Sequence, residues 1–208
     1  MKKKNKKILF LLIGLVIVLI IVVVVTLLLN PKEEEKQIKI VDSKEAEKLY
    51  QESDNKCTDV TSEEDSLILY LVFGQLDKDD MLKDNISYSE FVNEAEKVLK
   101  TDDVPTEINN YLYDGYSYTL NNDTIIREKS DCTERYVSKI YGYSNDENTL
   151  DLYIASAYIK DGKVYNFDNV EIGDYSKKTI NKTLDSGTIK VYHYTKNNGN
   201  YILDSIKD

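Results

Sequence analysis

The sequence predicts an α+β domain that follows an apolar N-terminal segment. Helix-starting motifs and helical spacing of apolar residues dominate residues 43–100. Short tyrosine-rich strands separated by turn signals dominate residues 110–208. Helices followed by consecutive hairpins are typical of α+β domains with an antiparallel sheet.

The N-terminal segment predicts a single transmembrane helix. Residues 1–7 carry five lysines, and residues 8–29 are apolar apart from Gly14 and Thr26, long enough to span a hydrocarbon core of about 30 Å. No small-x-small cleavage site or directly following cysteine is present, which argues against a cleaved signal peptide or a lipoprotein. Since the lysines should stay inside, we expect a cytoplasmic tail (1–7), a signal anchor (8–29), a stalk (30–42) and an extracytoplasmic domain (43–208).

The charge of the exterior part excludes some partners. Five of the 27 basic residues precede residue 30, so residues 30–208 carry 22 bases against 37 acids, a formal charge of −15. Such a surface repels polyanions, and nucleic acid is therefore not expected as a partner. The integral anchor is the expected contact with the membrane, because no basic stripe is present to bind anionic lipid.

Three helices are expected before residue 100. Ser43 or the residue before it can cap a helix over SKEAEKLYQES. Thr61-Ser62-Glu63-Glu64 fits a capping box that opens DSLILYLVFGQL, although the apolar run 67–73 also suits a buried strand. A third helix should begin after Ser87 and end near Lys100.

The stretch DKDDMLKDNISYSEF, residues 77–91, is similar to the exit of a calcium-binding EF-hand loop. With Glu90 at the twelfth position, Met81 and Lys83 occupy positions that require oxygen ligands. Ser87 and Glu90 instead fit a capping box, in which each side chain satisfies a backbone N–H of the other. The stretch therefore predicts a helix start and no calcium site.

Hairpins dominate the second half of the chain. YLYDGYSYTL and TIIREK flank residues 121–123, and ERYVSKIYGY and TLDLYIASAYI flank residues 144–148. Asp161-Gly162 leads into KVYNFD, and residues 196–199 join TIKVYHYT to NYILDSI. Asp-Gly and Asn-Gly pairs suit the positive φ angles of tight hairpin turns.

This order of elements resembles that of a known superfamily. Helices followed by a meander that closes on VYHYTKNNGNYILDSI are similar to the cystatin-like cone of the nuclear transport factor two superfamily. The resemblance covers residues 43–208 and extends to membrane-anchored members displayed by Gram-positive bacteria. It implies a curved antiparallel sheet wrapped around helices, with a pocket at the open end. Enzymes, binding domains and scaffolds share this fold, so it does not decide the function.

The two cysteines, Cys57 and Cys132, lie in polar segments between predicted elements. Outside the cell such a pair is more often a disulfide than a catalytic thiol, and two unpaired thiols are the alternative. Two cysteines and the single histidine leave a tetrahedral zinc site short of ligands. We expect a disulfide and no metal.

The last hairpin offers a candidate binding surface. Tyr192 and Tyr194 project to one face of their strand, and Val191 and His193 to the other. One face should be core, and the other could present an aromatic platform for a glycan or peptide. Sheet packing is the alternative role of these tyrosines. His193 is expected to be structural and half-buried, because no nucleophile is placed beside it.

The motifs predict no particular reaction. The chain has no glycine-rich phosphate loop, zinc motif or nucleophile elbow, so we expect neither a cofactor nor a catalytic residue. We expect a non-enzymatic, single-pass envelope protein that binds a peptide, a glycan or a membrane protein, or that acts as a spacer. A small hydrolase or isomerase using the cone's pocket, with His193 or a buried acid as base, is the alternative.

Overall fold

The computed structural model describes residues 44–208. The predicted tail (1–7), signal anchor (8–29) and stalk (30–42) lie outside the described residues and stay predictions. Within residues 44–208, no helix is both long and apolar enough to cross a membrane. This part of the chain contains α-helices and antiparallel β-strands, which confirms the α+β class.

Helices and strands are interspersed before residue 100, and strands dominate the chain after it. The helices are α1 (Lys44–Leu49), α2 (Glu64–Lys78), α3 (Tyr88–Ala95) and α4 (Lys177–Ser186). The strands are β1 (Ser53–Lys56), β2 (Asn85–Ser87), β3 (Tyr111–Tyr113), β4 (Tyr116–Asn121), β5 (Thr124–Lys129), β6 (Glu134–Asn145), β7 (Thr149–Lys160), β8 (Lys163–Asn166), β9 (Glu171–Asp174), β10 (Ile189–Asn197) and β11 (Asn200–Lys207).

The apolar run 67–73, which the sequence allows as a helix or as a buried strand, lies within helix α2. The run is apolar on all sides because α2 packs against both sheets of the domain. The ring centroids of Tyr70 and Tyr136 (β6) lie 5.1 Å apart, and those of Phe73 and Tyr118 (β4) lie 4.6 Å apart. The capping box predicted at Thr61 is wrong. The N-cap is Glu63, which makes no side-chain cap bond.

The capping box at the start of α3 is confirmed. Ser87 Oγ accepts a hydrogen bond from the Glu90 N–H at 3.2 Å, and Glu90 Oε2 accepts one from the Ser87 N–H at 3.0 Å. The helix ends at Ala95, earlier than predicted. Beyond it the chain turns, and the Val98 carbonyl accepts a hydrogen bond from the Leu203 N–H of β11 at 2.7 Å.

Seven strands form the larger sheet, in the order β1-β6-β7-β10-β11, with β8 paired to β7 and β9 paired to β8. One edge of β7 is shared, because residues 149–155 pair with β10 and residues 157–160 pair with β8. The hairpins predicted to join β6 to β7, β7 to β8 and β10 to β11 are all confirmed.

The other four strands form a second sheet, in the order β2-β5-β4-β3. The sequence predicts one strand over residues 111–120, and the structure corrects this prediction. Asp114 and Gly115 adopt φ angles of 50° and 81° and turn the chain back, so that Tyr111 pairs with Tyr118. The predicted hairpin between β4 and β5 is confirmed.

Helix α4 lies in a region where the sequence suggested only strands. The Ser176 side chain caps its N-terminus. Ile180 and Leu184, one turn apart, pack in a hydrophobic cluster that includes Ala155 of β7. The neighbouring Ile154 belongs to the main core instead. Because side chains alternate along a strand, α4 and the main core cover opposite faces of the larger sheet.

Candidate functional site

A groove of about 590 Å³ lies between α4 and the edge formed by β1 and β6, and we call it the α4 groove. This volume is within the range of about 300–1,000 Å³ that is typical of ligand pockets. Its lining combines charged, amide, hydroxyl, aromatic and aliphatic side chains: Glu52, Ser53, Asp54, Asn55, Val137, Ser138, Lys139, Tyr175, Lys177, Ile180, Asn181 and Leu184.

Strand β1 provides a polar wall of the α4 groove. The Ser53 N–H donates to Ser138 Oγ at 3.1 Å, which holds β1 against β6. The strand register shifts between Ser53 and Lys56, and Asn55 adopts a φ of 69°. The Asn55 Oδ1 atom is buried and has no hydrogen-bond partner in the structure. This oxygen has essentially no surface open to solvent, so it belongs to the packing of β1 and is not open to a ligand in the groove.

An exposed aromatic ring stands beside apolar contact surface in the same groove. The ring belongs to Tyr175, which is 52% exposed. Its backbone is fixed, because its N–H donates to the Gly162 carbonyl at 2.8 Å. Val137 and Leu184 are buried and form an apolar floor. The tyrosine therefore offers both a stacking face and a polar tip to a ligand.

The charges that line the α4 groove balance. Glu52 and Asp54 contribute two negative charges, and Lys139 and Lys177 contribute two positive charges. Glu52 Oε1 also accepts a hydrogen bond from the Ile140 N–H at 2.7 Å, which fixes that carboxylate. In a domain with a large excess of acids, this lining does not select a cation.

A second groove, of about 570 Å³, lies between α2, residues 102–107 and β11, and we call it the acidic groove. Its charged lining consists of Glu64, Asp65, Asp102, Asp103, Glu107 and Asp204. Lys100 forms a salt bridge with Asp204, with 2.5 Å between Lys100 Nζ and Asp204 Oδ1. Among residues 44–208, no three His, Cys, Asp or Glu side chains are placed to hold a metal ion.

The structure places the predicted platform residues, Tyr192 and Tyr194, in the core. Both are fully buried, and burial raises the pKa of both hydroxyls. The Tyr192 ring contacts that of Tyr50 at 5.5 Å. The structure therefore corrects the prediction of an aromatic platform at these two residues. The face of β10 that carries them packs against the interior and presents neither ring to solvent.

His193 lies on the opposite face of β10, and its side chain is 25% exposed, as expected for a half-buried residue. Its Nδ1 atom pairs with Asp151, whose second oxygen accepts a hydrogen bond from Ser144 Oγ at 3.3 Å. The carboxylate thus lies between the hydroxyl and the imidazole, whereas a catalytic triad places the imidazole in the middle. Ser205, opposite His193 on β11, makes no hydrogen bond through its Oγ.

Cys57 and Cys132 lie at disulfide-bonding distance, with their Cα atoms 5.6 Å apart. A bridge requires a separation of less than about 7 Å, so the predicted pairing is geometrically satisfied. Cys57 follows β1, and Cys132 lies between β5 and β6. The pair therefore joins the edge of the larger sheet to the segment that connects the two sheets.

Reasoning from the sequence missed Tyr175, Asn55 and α4. A local signal for α4 was present, because Ser176 precedes a helical pattern in which Ile180 and Leu184 recur four residues apart. No local signal marks Asn55, whose buried oxygen depends on the pairing of β1 with a strand about 80 residues away.

Comparisons with family models, with curated proteins and with solved structures found no match for this chain.

Proposed function

We propose that this chain is a single-pass membrane protein that displays a non-enzymatic binding domain outside the cell, and that the α4 groove holds its ligand. The observation that carries the proposal is the exposed Tyr175 ring beside the buried apolar side chains of Val137 and Leu184 in one groove. The ring and these apolar side chains supply contact area, and the charged and amide side chains of the lining supply polar contacts, which are the two requirements of a small-ligand site.

Sequence and structure support the location as well. The apolar segment 8–29 follows five lysines, which favours an anchor with the domain outside. The cysteine pair at bonding distance suits an oxidising compartment. The cystatin-like cone belongs to the same proposal. Because α2 and aromatic rings pack against both sheets, we place the ligand on the outer face, beside α4.

A photo-crosslinking experiment in cells tests this proposal. A photoreactive phenylalanine analogue replaces Tyr175 in the full chain, and the matched control replaces Ile172, which is 41% exposed but does not line the α4 groove. Irradiation should yield an adduct with an envelope component from position 175 and little or none from position 172. Equal yields, or no adduct at position 175, would contradict a binding role for the groove.

The second candidate function is a small hydrolase, and the pairing of Asp151 with His193 is the observation that favours it. Ser205, the cross-strand neighbour of His193, would have to turn its buried hydroxyl toward the imidazole to act as the nucleophile in that case. Labelling with a fluorophosphonate distinguishes the two functions. The binding proposal expects no difference between the natural chain and the Ser205→Ala and His193→Gln variants, whereas labelling that both variants lose would favour the hydrolase.

A further inference from the structure

We propose that a lysine-rich face beside α1 docks on anionic lipid headgroups of the membrane that holds the chain, an inference that uses the anchor of the proposed function but not the α4 groove. A groove of about 500 Å³ is lined by residues of α1, the end of α2 and the turn between β10 and β11, and we call it the lysine groove. Its lining includes the bases Lys48, Lys78 and Lys97 and the acids Glu45 and Asp79. The acidic groove is lined by six acids and no base, so the lysine groove is the more favourable of the two for an anion.

The Lys78 ammonium is held in place and keeps a free donor. Its Nζ atom donates to the carbonyls of Glu47 and Lys48, at 2.9 and 3.1 Å, where α1 ends. Both partners are neutral, and a lysine has three N–H donors, so one donor and the positive charge remain available. A phosphate oxygen can accept the third N–H, and such charge-assisted hydrogen bonds are stronger than neutral ones.

Two further lysines on this face are open to solvent. Lys48 lines the groove, and Lys196 lies beside it, with its Nζ atom 5.5 Å from the ring centroid of Tyr201, which also lines the groove. Both lysines are exposed, and neither side chain forms an ion pair within residues 44–208. The face is assembled by the fold from distant positions, which is why the sequence shows no basic stripe.

Lys97 does not add to the free positive charge of the lysine groove. Its Nζ atom pairs with Asp79 at 2.6 Å and with Glu94 at 2.7 Å. The charge available to a headgroup therefore comes from the other lysines of this face.

The chain enters the domain at this face. α1 begins at Lys44, and residues 30–43 separate it from the predicted anchor. A segment of this length spans at most about 50 Å, so the lysine groove stays within reach of the bilayer surface. Lysines near an anionic leaflet are attracted to it, whereas the acidic remainder of the domain is repelled. Attraction and repulsion together favour the orientation in which the lysine groove faces the membrane.

Hydrogen–deuterium exchange of the full chain in lipid vesicles tests the docking. One set of vesicles is phosphatidylcholine alone, and the other contains phosphatidylglycerol as the anionic lipid. The backbone amides of residues 45–49 and 197–201 should exchange more slowly in the anionic vesicles, and those of residues 124–129, in β5, should not change. Equal exchange in the two sets, or equal slowing at residues 124–129, would overturn the inference.

Two variants of equal net charge locate the contact. Replacing Lys48 and Lys196 by glutamine should lower the ratio of docked to undocked domain at least about tenfold, as expected for two lysines near an anionic surface. The matched control replaces Lys129 and Lys178, two exposed lysines outside the lysine groove, and should keep the protection. Equal loss in both variants would contradict a specific face.

The source of the anion and the anchor are tested in the same vesicles. Inorganic phosphate added to the chain in phosphatidylcholine vesicles should protect neither segment. Protection by free phosphate equal to that by phosphatidylglycerol would overturn docking on the membrane in favour of a soluble ligand. Flotation of the chain with phosphatidylcholine vesicles reports the anchor alone, so a chain that fails to float contradicts the proposed function. A chain that floats but gains no protection in anionic vesicles contradicts only this inference.

Discussion

The Cα atoms of Cys57 and Cys132 lie 5.6 Å apart, although 75 residues separate the two cysteines in the sequence. The Cys57 carbonyl also accepts a hydrogen bond from the Gly115 N–H at 2.9 Å, in the turn between β3 and β4. The segment after β1 is thus held to the smaller sheet by backbone contact and to the β5–β6 connection by the cysteine pair. A covalent bond here would join the segments that flank β1 and β6, two strands that pair in the larger sheet.

We expect this bridge to form in the envelope and to stabilise the domain. Replacing both Cys57 and Cys132 by serine should lower the free energy of unfolding by about 4 kcal/mol, as the chain-entropy model gives for a loop of this length. Urea unfolding with and without reductant measures the effect, and reductant should not affect the double variant. Recovery of two alkylated cysteines per chain from denatured envelope protein would contradict the bridge.

The capping box of α3 should make stability depend on pH. Lys83 Nζ donates to Glu90 Oε1 at 2.9 Å, and the Ser87 N–H and hydroxyl donate to Oε2, which together lower the pKa of Glu90 from 4.5 to about 2. The lowered pKa means that the carboxylate stabilises the fold above about pH 4.5 and that this contribution is lost as the pH falls toward 2.

Thermal melting across that range tests the capping box. Glu90→Gln should melt below the natural chain at pH 6, and the difference should shrink as the pH approaches 2. Glu128→Gln, on an exposed residue of β5, is the matched control and should show no comparable trend. Ser87→Ala should cost about 1 kcal/mol, which is typical of a lost N-cap. A pH-independent difference for Glu90→Gln would contradict the assignment.

The burial of Tyr192 predicts opposite effects for two substitutions at this position. Tyr192→Phe should leave stability unchanged or slightly higher, because the buried hydroxyl has no partner. Tyr192→Ala should cost about 3–5 kcal/mol through the lost packing and the cavity. Tyr136→Phe is the control and should cost about 1 kcal/mol, since that hydroxyl bonds to Ser156 Oγ at 2.7 Å. Equal losses for both Phe variants in chemical denaturation would contradict this account.

The proposed topology predicts protease sensitivity from outside the cell. Protease added to intact cells should remove the C-terminal domain and leave a fragment that contains residues 8–29. Immunoblotting with a C-terminal tag follows the loss, and a cytoplasmic protein serves as the control for cell integrity. A domain that stays fully protected, in cells whose other surface proteins are cleaved, would refute the orientation.

Elements encoded by nearby residues could be predicted from the sequence. The α3 capping box needs only Ser87 and Glu90, and the hairpin turns at Asp161-Gly162 and Asn198-Gly199 need only residues that tolerate positive φ. The compartment and the cysteine count predict a bridge between Cys57 and Cys132, and the 5.6 Å between their Cα atoms permits it. These features depend on short-range chemistry or on general rules about compartments.

Features that depend on packing could not be predicted. Alternation along β10 separates Tyr192 from His193, yet only the position of the core decides which face is buried. The β3–β4 hairpin depends on a turn at Asp114-Gly115, which lies inside a segment whose pattern predicts one longer strand. The α4 groove joins residues 52–55, 137–139 and 175–184, so no local window of the sequence contains it.

Hydrogen–deuterium exchange of the full chain in envelope membranes, compared with the chain purified in detergent, tests the central claim most directly, because it reports where an envelope component binds. In the membranes we expect slower exchange of the backbone amides at residues 53–55 and 175–184, which contribute side chains to the α4 groove, and no change at residues 102–107 of the acidic groove. Protection at residues 102–107, or at neither groove, would contradict the assignment of the α4 groove as the binding site.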